Sequence, residues 1–82
     1  MRQRIGVIGG GSWGTALGKL LAEKGYPVSL WMHEAAHSRE LTDKRENAAY
    51  LPGIALPDNL VPTSDLKEAV AGKTVVLCAV PS

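Results

Sequence analysis

The sequence predicts an α/β fold, the first half of a doubly wound parallel sheet. Three observations carry that prediction. Short β-rich apolar runs alternate with stretches of helical period, and the first run breaks into three consecutive glycines. The last run, "TVVLCAV" at residues 74–80, is continuously apolar, the pattern of a parallel strand covered on both faces. Right-handed crossovers turn the resulting order, β-α-β-α-β-α-β, into one parallel sheet with helices on both sides.

The elements follow in chain order. Arg4 to Ile8 reads as a first strand ending in glycine. From Ser12 the period becomes helical, with Trp13, Ala16, Leu17, Leu20 and Leu21 on one broad apolar face. Gly25 is placed to cap that helix, and Pro27 cannot extend it. Val28 to Met32 is a second strand, and Glu34 to about Arg45 a polar, exposed helix. Asn47 to Leu60, with Pro52-Gly53 and Pro57-Asp58, reads as turn chemistry rather than an element. Leu60 to Thr63 is a short third strand, placed near an edge by Pro62. Ser64 or Asp65 caps a third helix, Glu68 completes an echo of a capping box, and Gly72 ends it. Cys78 then falls mid-strand, where a buried small hydrophobe is expected.

Composition narrows the function. The chain has 82 residues, 45% of them hydrophobic, and a formal net charge of +1. That is globular composition, without the basic excess a nucleic-acid grip requires. No run is apolar and long enough to span a membrane, and no apolar signal region precedes the first strand. One cysteine rules out an internal disulfide or a multi-cysteine zinc site, and a cytoplasmic setting is expected. A domain this small buries only about 60% of its unfolded surface, so further partners are expected to stabilise it.

The chemistry starts at the glycines. Gly9-Gly10-Gly11-Ser12-Trp13-Gly14 fits Gly-x-Gly-x-x-Gly and lies where that motif needs to be, after a strand and opening a helix. Gly9 permits the tight turn, Gly11 lets backbone approach a pyrophosphate, and Gly14 lets the helix lie close to the sheet. The N–H groups at the helix start then meet the phosphate charge. This makes the fold Rossmann-type. Gly18, one turn on, suits the same close packing. Gly72-Lys73-Thr74 only imitates a P-loop, since Lys67 stands where that motif needs Gly and the triplet precedes a strand.

Cofactor choice is read at the end of the second strand. An acid about 20 residues past the motif holds the ribose 2′-hydroxyl of NAD. Here that count reaches Met32, so NADP is accepted, and His33 is placed either to donate to a 2′-phosphate or to sit on the surface. Glu34 keeps NAD open as a cofactor. His37, on the polar helix, is expected to be solvated. Arg39, Lys44 and Arg45 are assigned mainly to a solvated helix face. Other readings of the motif are a flavoprotein, which Met32 disfavours, and a non-catalytic nucleotide-binding module.

"GVIGGGSWGTALGKLLAEKGYPVSLW", "NAAYLPGIALPDNL" and "TSDLKEAVAGKTVVLCAVPS" together resemble the N-terminal part of bacterial NAD(P)-dependent glycerol-3-phosphate dehydrogenase. Its most specific pieces are Gly11-Ser12-Trp13-Gly14-Thr15-Ala16, Asn47 with Tyr50-Leu51-Pro52-Gly53, and Val80-Pro81-Ser82. The resemblance implies reduction of dihydroxyacetone phosphate to sn-glycerol 3-phosphate for phospholipid synthesis. It also implies cofactor contact at Ser12, Trp13, His33 and Tyr50 around a phosphate loop of Gly9, Gly10, Gly11 and Gly14. Many family members carry arginine at the position of His33. Trp13 has core packing as its other role, and Tyr50 has loop packing. Residues 1–82 are then a partial NAD(P)-binding domain, and the family's catalytic lysines and substrate site fall outside them. No catalytic residue or metal ligand is assigned here. The chain alone is expected to give no turnover and to bind cofactor weakly, because half of the cradle lies outside it, with a homodimer open to the full-length protein.

Overall fold

A computed structural model of the protein describes residues 3–9, 11–47 and 51–79. In chain order the elements are β1 (Ile5–Ile8), α1 (Ser12–Glu23), β2 (Val28–Trp31), α2 (Ala35–Lys44), β3 (Glu46–Asn47), β4 (Leu51–Ala55), β5 (Leu60–Thr63), α3 (Leu66–Val70) and β6 (Val75–Cys78). Four strands pair in parallel in the order β5-β2-β1-β6. Taken by sequence, the parallel strands lie third, second, first, fourth, which is half of the Rossmann arrangement. β5 is an edge strand, where Pro62, opposite Leu30, withholds no hydrogen bond from a second neighbour.

The element ends have local causes. Gly25, at φ 98°, turns the chain out of α1, and the Asn59 side chain donates to the carbonyls of Ala22 and Tyr26 to hold that corner. Arg45 closes α2 in the left-handed region at φ 53° and folds inward. Its Nη2 donates to the carbonyls of Pro57 and Leu60. Arg45 is therefore a strut between α2 and β5 and not part of a solvated face. Asp65 caps α3 by accepting from the N–H groups of Lys67 and Glu68, as its sequence context predicts. Lys73, from the false P-loop, donates to the Glu68 and Ala71 carbonyls at the far end of the same helix.

Side chains alternate across the sheet, and its two faces differ. Ile5, Val7, Val28, Leu30 and Leu60 point to one face and are buried under α1 and α2, joined by Met32, Ala22, Leu41 and Leu56. Gly6, Ile8, Ser29, Trp31, Val61, Thr63, Val76 and Cys78 share the opposite face by register. There α3 lies against β1, so close that a Cβ on Gly6 would sit 2.3 Å from the Ala69 carbonyl oxygen.

Four further expectations change. The stretch read as turn chemistry contains an antiparallel hairpin, β3 with β4, because Glu46 Oε2 accepts from the Gly53 N–H and the backbone of Pro52-Gly53 can still run as strand. The buried stripe of α1 is Gly14, Thr15, Gly18 and Ala22, whereas Trp13 and Leu20 are exposed. Small residues face the sheet because the helix packs close, and the larger apolar groups are displaced outward. Among the described residues β6 stands at the end of the sheet with only alternate residues half-covered, so Val76 and Cys78 are exposed rather than buried. Lastly, His37 is half-buried and hydrogen-bonded to Asn47 rather than solvated. Among the described residues no helix is long and apolar enough to cross a membrane, and no cluster of His, Cys, Asp and Glu could hold a metal ion.

Candidate dinucleotide site

The glycine turn lies at the carboxyl ends of the parallel strands. Gly9 leaves β1 at φ 127°, a conformation that side-chain-bearing residues rarely adopt, and its N–H donates to the Trp31 carbonyl at 2.9 Å. On the other side of β1 the Ala79 N–H donates to the Ile8 carbonyl at 2.8 Å. The turn is thus anchored between the ends of β2 and β6. This is where the sheet order reverses, the place at which open α/β sheets bind ligands.

Close approach is built into the backbone. A Cβ on Gly14 would stand 1.8 Å from the Gly9 carbonyl oxygen and 3.4 Å from the Ala79 Cβ, so only glycine fits. Gly18 is less constrained, its nearest neighbour being Leu60 Cδ1 at 3.3 Å. Gly11 differs from both. It is the N-cap of α1, and a Cβ there would meet nothing within 4 Å. Among the described residues no side chain caps α1, and no acid occupies its first turn. The first N–H groups of the helix therefore carry their partial positive charge without a side-chain cap among the described residues.

Ser12 and Trp13 flank this opening on the first turn of α1, and Trp13 is 71% exposed. Trp13 therefore takes no part in the core that the described residues form. His33 is exposed just past the end of β2, two residues beyond the carbonyl that holds Gly9, with its ring 6.2 Å from that of Trp31. Trp31 is itself held by donation of its Nε1–H to the Ser64 carbonyl at 3.1 Å, which ties the end of β2 to the turn after β5. Met32 is 2% exposed and belongs to the core. Counting along the chain thus reached a residue whose side chain faces away from the rim, and His33 is the side chain presented there. Glu34 is exposed at the N-cap of α2. Gly10 and Tyr50 lie outside the described residues.

Behind the turn stands a polar chain that periodicity could not reveal. Asn47, fully buried, donates from Nδ2 to Thr15 Oγ1 at 2.8 Å, and its Oδ1 lies 2.9 Å from His37 Nε2. Thr15 is also fully buried. The only sequence signal was the place of Asn47 in the motif with Tyr50-Leu51-Pro52-Gly53.

Residues 4–82 match the family described as NAD-dependent glycerol-3-phosphate dehydrogenase N-terminus. The chain belongs to that family. A glycerol-3-phosphate dehydrogenase (NAD(P)+) of Desulfotalea psychrophila is 56% identical over 78 residues, 95% of this chain and 23% of its own length. Its counterpart in Citrifermentans bemidjiense is 52% identical over 82 residues, 100% of this chain and 24% of its own length. The crystal structure of glycerol-3-phosphate dehydrogenase from Coxiella burnetii superposes with a TM-score of 0.93 at 42% identity, covering 99% of this chain and 25% of that one. The chain thus spans about a quarter of the length of the relatives it matches.

Proposed function

We propose that this chain forms the NAD(P)H-binding part of a glycerol-3-phosphate dehydrogenase, which reduces dihydroxyacetone phosphate to sn-glycerol 3-phosphate for phospholipid synthesis. One observation carries the reading. The Gly14 position has no room for a Cβ against Gly9, while Gly11 and the uncapped start of α1 open onto free space. Such a turn is compressed on the protein side and bare on the other, the form a pyrophosphate requires.

Gly9, Gly11 and Gly14, with Gly10 between them, supply the backbone of the cradle. Ser12 and Trp13 line it, the hydroxyl and the indole N–H each offering a donor. His33 faces the ribose end and donates to a 2′-phosphate, and Tyr50 completes the set. His33, exposed just past β2, is the side chain presented there, which favours NADP over NAD. The bound dinucleotide supplies a hydride. The residues of this chain bind and orient it, and none of them is assigned to proton transfer.

The substrate site and catalytic lysines belong to the part of the relatives that this chain does not span, and residues 1–82 form a partial Rossmann domain. The whole enzyme acts in the cytoplasm, where the free thiol of Cys78 suits a reducing compartment, and a homodimer is part of the same reading.

Titration of the chain with NADPH and NADH, followed by tryptophan fluorescence, tests the proposal. Saturable quenching is expected, tighter for NADPH, with no oxidation of NADPH when dihydroxyacetone phosphate is added. Absence of binding for both nucleotides would overturn the cofactor assignment, and robust turnover by the 82 residues would overturn the division of labour.

A further inference from the structure

The polar chain behind the glycine turn connects three elements at one point. Asn47 lies on β3, Thr15 on the first turn of α1 and His37 on α2, and Asn47 and Thr15 are fully buried. A buried amide costs free energy unless its donor and acceptor are both used, and here both are. Because Nδ2 is given to Thr15, the Asn47 oxygen must accept, and His37 therefore donates through Nε2–H. The two bonds thus run in one direction, from His37 to Asn47 and from Asn47 to Thr15.

We propose that Asn47 is a positioning residue for the dinucleotide, acting through Thr15 on the phosphate-binding end of α1. This rests on the cofactor assignment above. Thr15 closes the first turn of α1 by donating its N–H to the Gly11 carbonyl at 2.9 Å. It directly follows Gly14, whose contact with Gly9 sets how near the helix comes to β1. The Thr15 hydroxyl is thus a handle on the turn whose N–H groups meet the phosphates. Asn47 holds that handle from the hairpin, and His37 holds Asn47 from α2. Apolar packing at Gly14 and Gly18 fixes the distance of the helix from the sheet but offers little resistance to rotation or sliding, because glycine presents no side chain to interlock. The directional bonds of Asn47 supply that resistance. Supporting groups of this kind keep a binding constellation in productive geometry.

The experiment measures NADPH dissociation constants in the full chain by fluorescence, alongside thermal melting by circular dichroism. Thr15→Val keeps the shape and removes the hydroxyl. It is expected to weaken NADPH binding by about tenfold, the lower end of what lost supporting contacts cost at a site. Thr15→Ser restores wild-type affinity. Asn47→Ala gives a similar loss, and the double variant Thr15→Val/Asn47→Ala is no weaker than the worse single one, as expected for two residues acting as a unit. His37→Gln, which keeps a donor for the Asn47 oxygen, binds more tightly than His37→Ala. Binding within twofold of wild type by folded Thr15→Val, even with a lowered melting temperature, would assign the chain a purely structural role and overturn the proposal. Should Asn47→Ala fail to fold, the isosteric Thr15→Val decides alone. A wild-type chain that binds no NADPH overturns the cofactor assignment together with this inference, whereas a binding wild type with an indifferent Thr15→Val overturns the inference only.

Discussion

The two faces of the sheet do different work. On one, Ile5, Val7, Val28, Leu30 and Leu60 are sealed beneath α1 and α2, and Leu41, Leu56 and Met32 extend the same cluster. On the other, α3 is five residues long, and Val61 and Val76 remain 48% and 43% exposed. The sealed face carries the hydrophobic stabilisation, since that scales with apolar area removed from water. On the open face α3 meets β1 at Gly6 and Ala69, and Trp31 ties β2 to the turn before α3 through the Ser64 carbonyl. The glycine turn joins the two, because α1 belongs to the sealed face while its N-terminus emerges at the strand ends. On the proposed reading, stability and recognition are thereby placed on one helix.

Three substitutions test that contrast. Leu30→Ala, in the centre of the sealed face, is expected to lose about 2–5 kcal/mol and to unfold much of the chain at room temperature, as read by urea denaturation. A loss below 1 kcal/mol would place the core elsewhere. Gly6→Ala drives a methyl group into the Ala69 carbonyl and should cost about 1–3 kcal/mol through displacement of α3. Hydrogen exchange is expected to quicken in α3 while β2 and α1 keep their protection. Equal acceleration in α1 would show that the faces are not independent. Val76→Thr is the smallest change, within about 0.5 kcal/mol, because its side chain is already largely in water. A large loss by thermal melting would mean that the open face is packed in solution.

Much of this architecture was legible in the sequence. The strand at Leu60–Thr63 was placed at an edge by Pro62, and α3 was placed by Asp65 and Gly72, since each of these residues acts through bonds to its immediate neighbours. The helical face of α1 was misjudged for the complementary reason. Periodicity ranks side chains by hydrophobicity, but a helix that must approach a strand closely presents its smallest residues. Gly14 and Gly18 thus face inward, and Trp13 faces out. The count to Met32 reached a core side chain for a related reason. Spacing along a chain does not say which face of the last strand residue is turned to the rim, and Met32 continues the inward alternation of Val28 and Leu30.

The sequence by itself determined the α/β order, the parallel sheet, the glycine turn and the family, because these depend on local patterns and on motifs of fixed spacing. Tertiary structure alone decided that Asn47, His37 and Thr15 meet, and that Arg45 turns inward to hold β5. It alone left one face of β6 bare. The physical reason is range. A turn or a cap is settled within a few residues, whereas a buried hydrogen-bond chain between residues as far apart as Thr15 and Asn47 exists only once packing has brought three elements together and excluded water from between them.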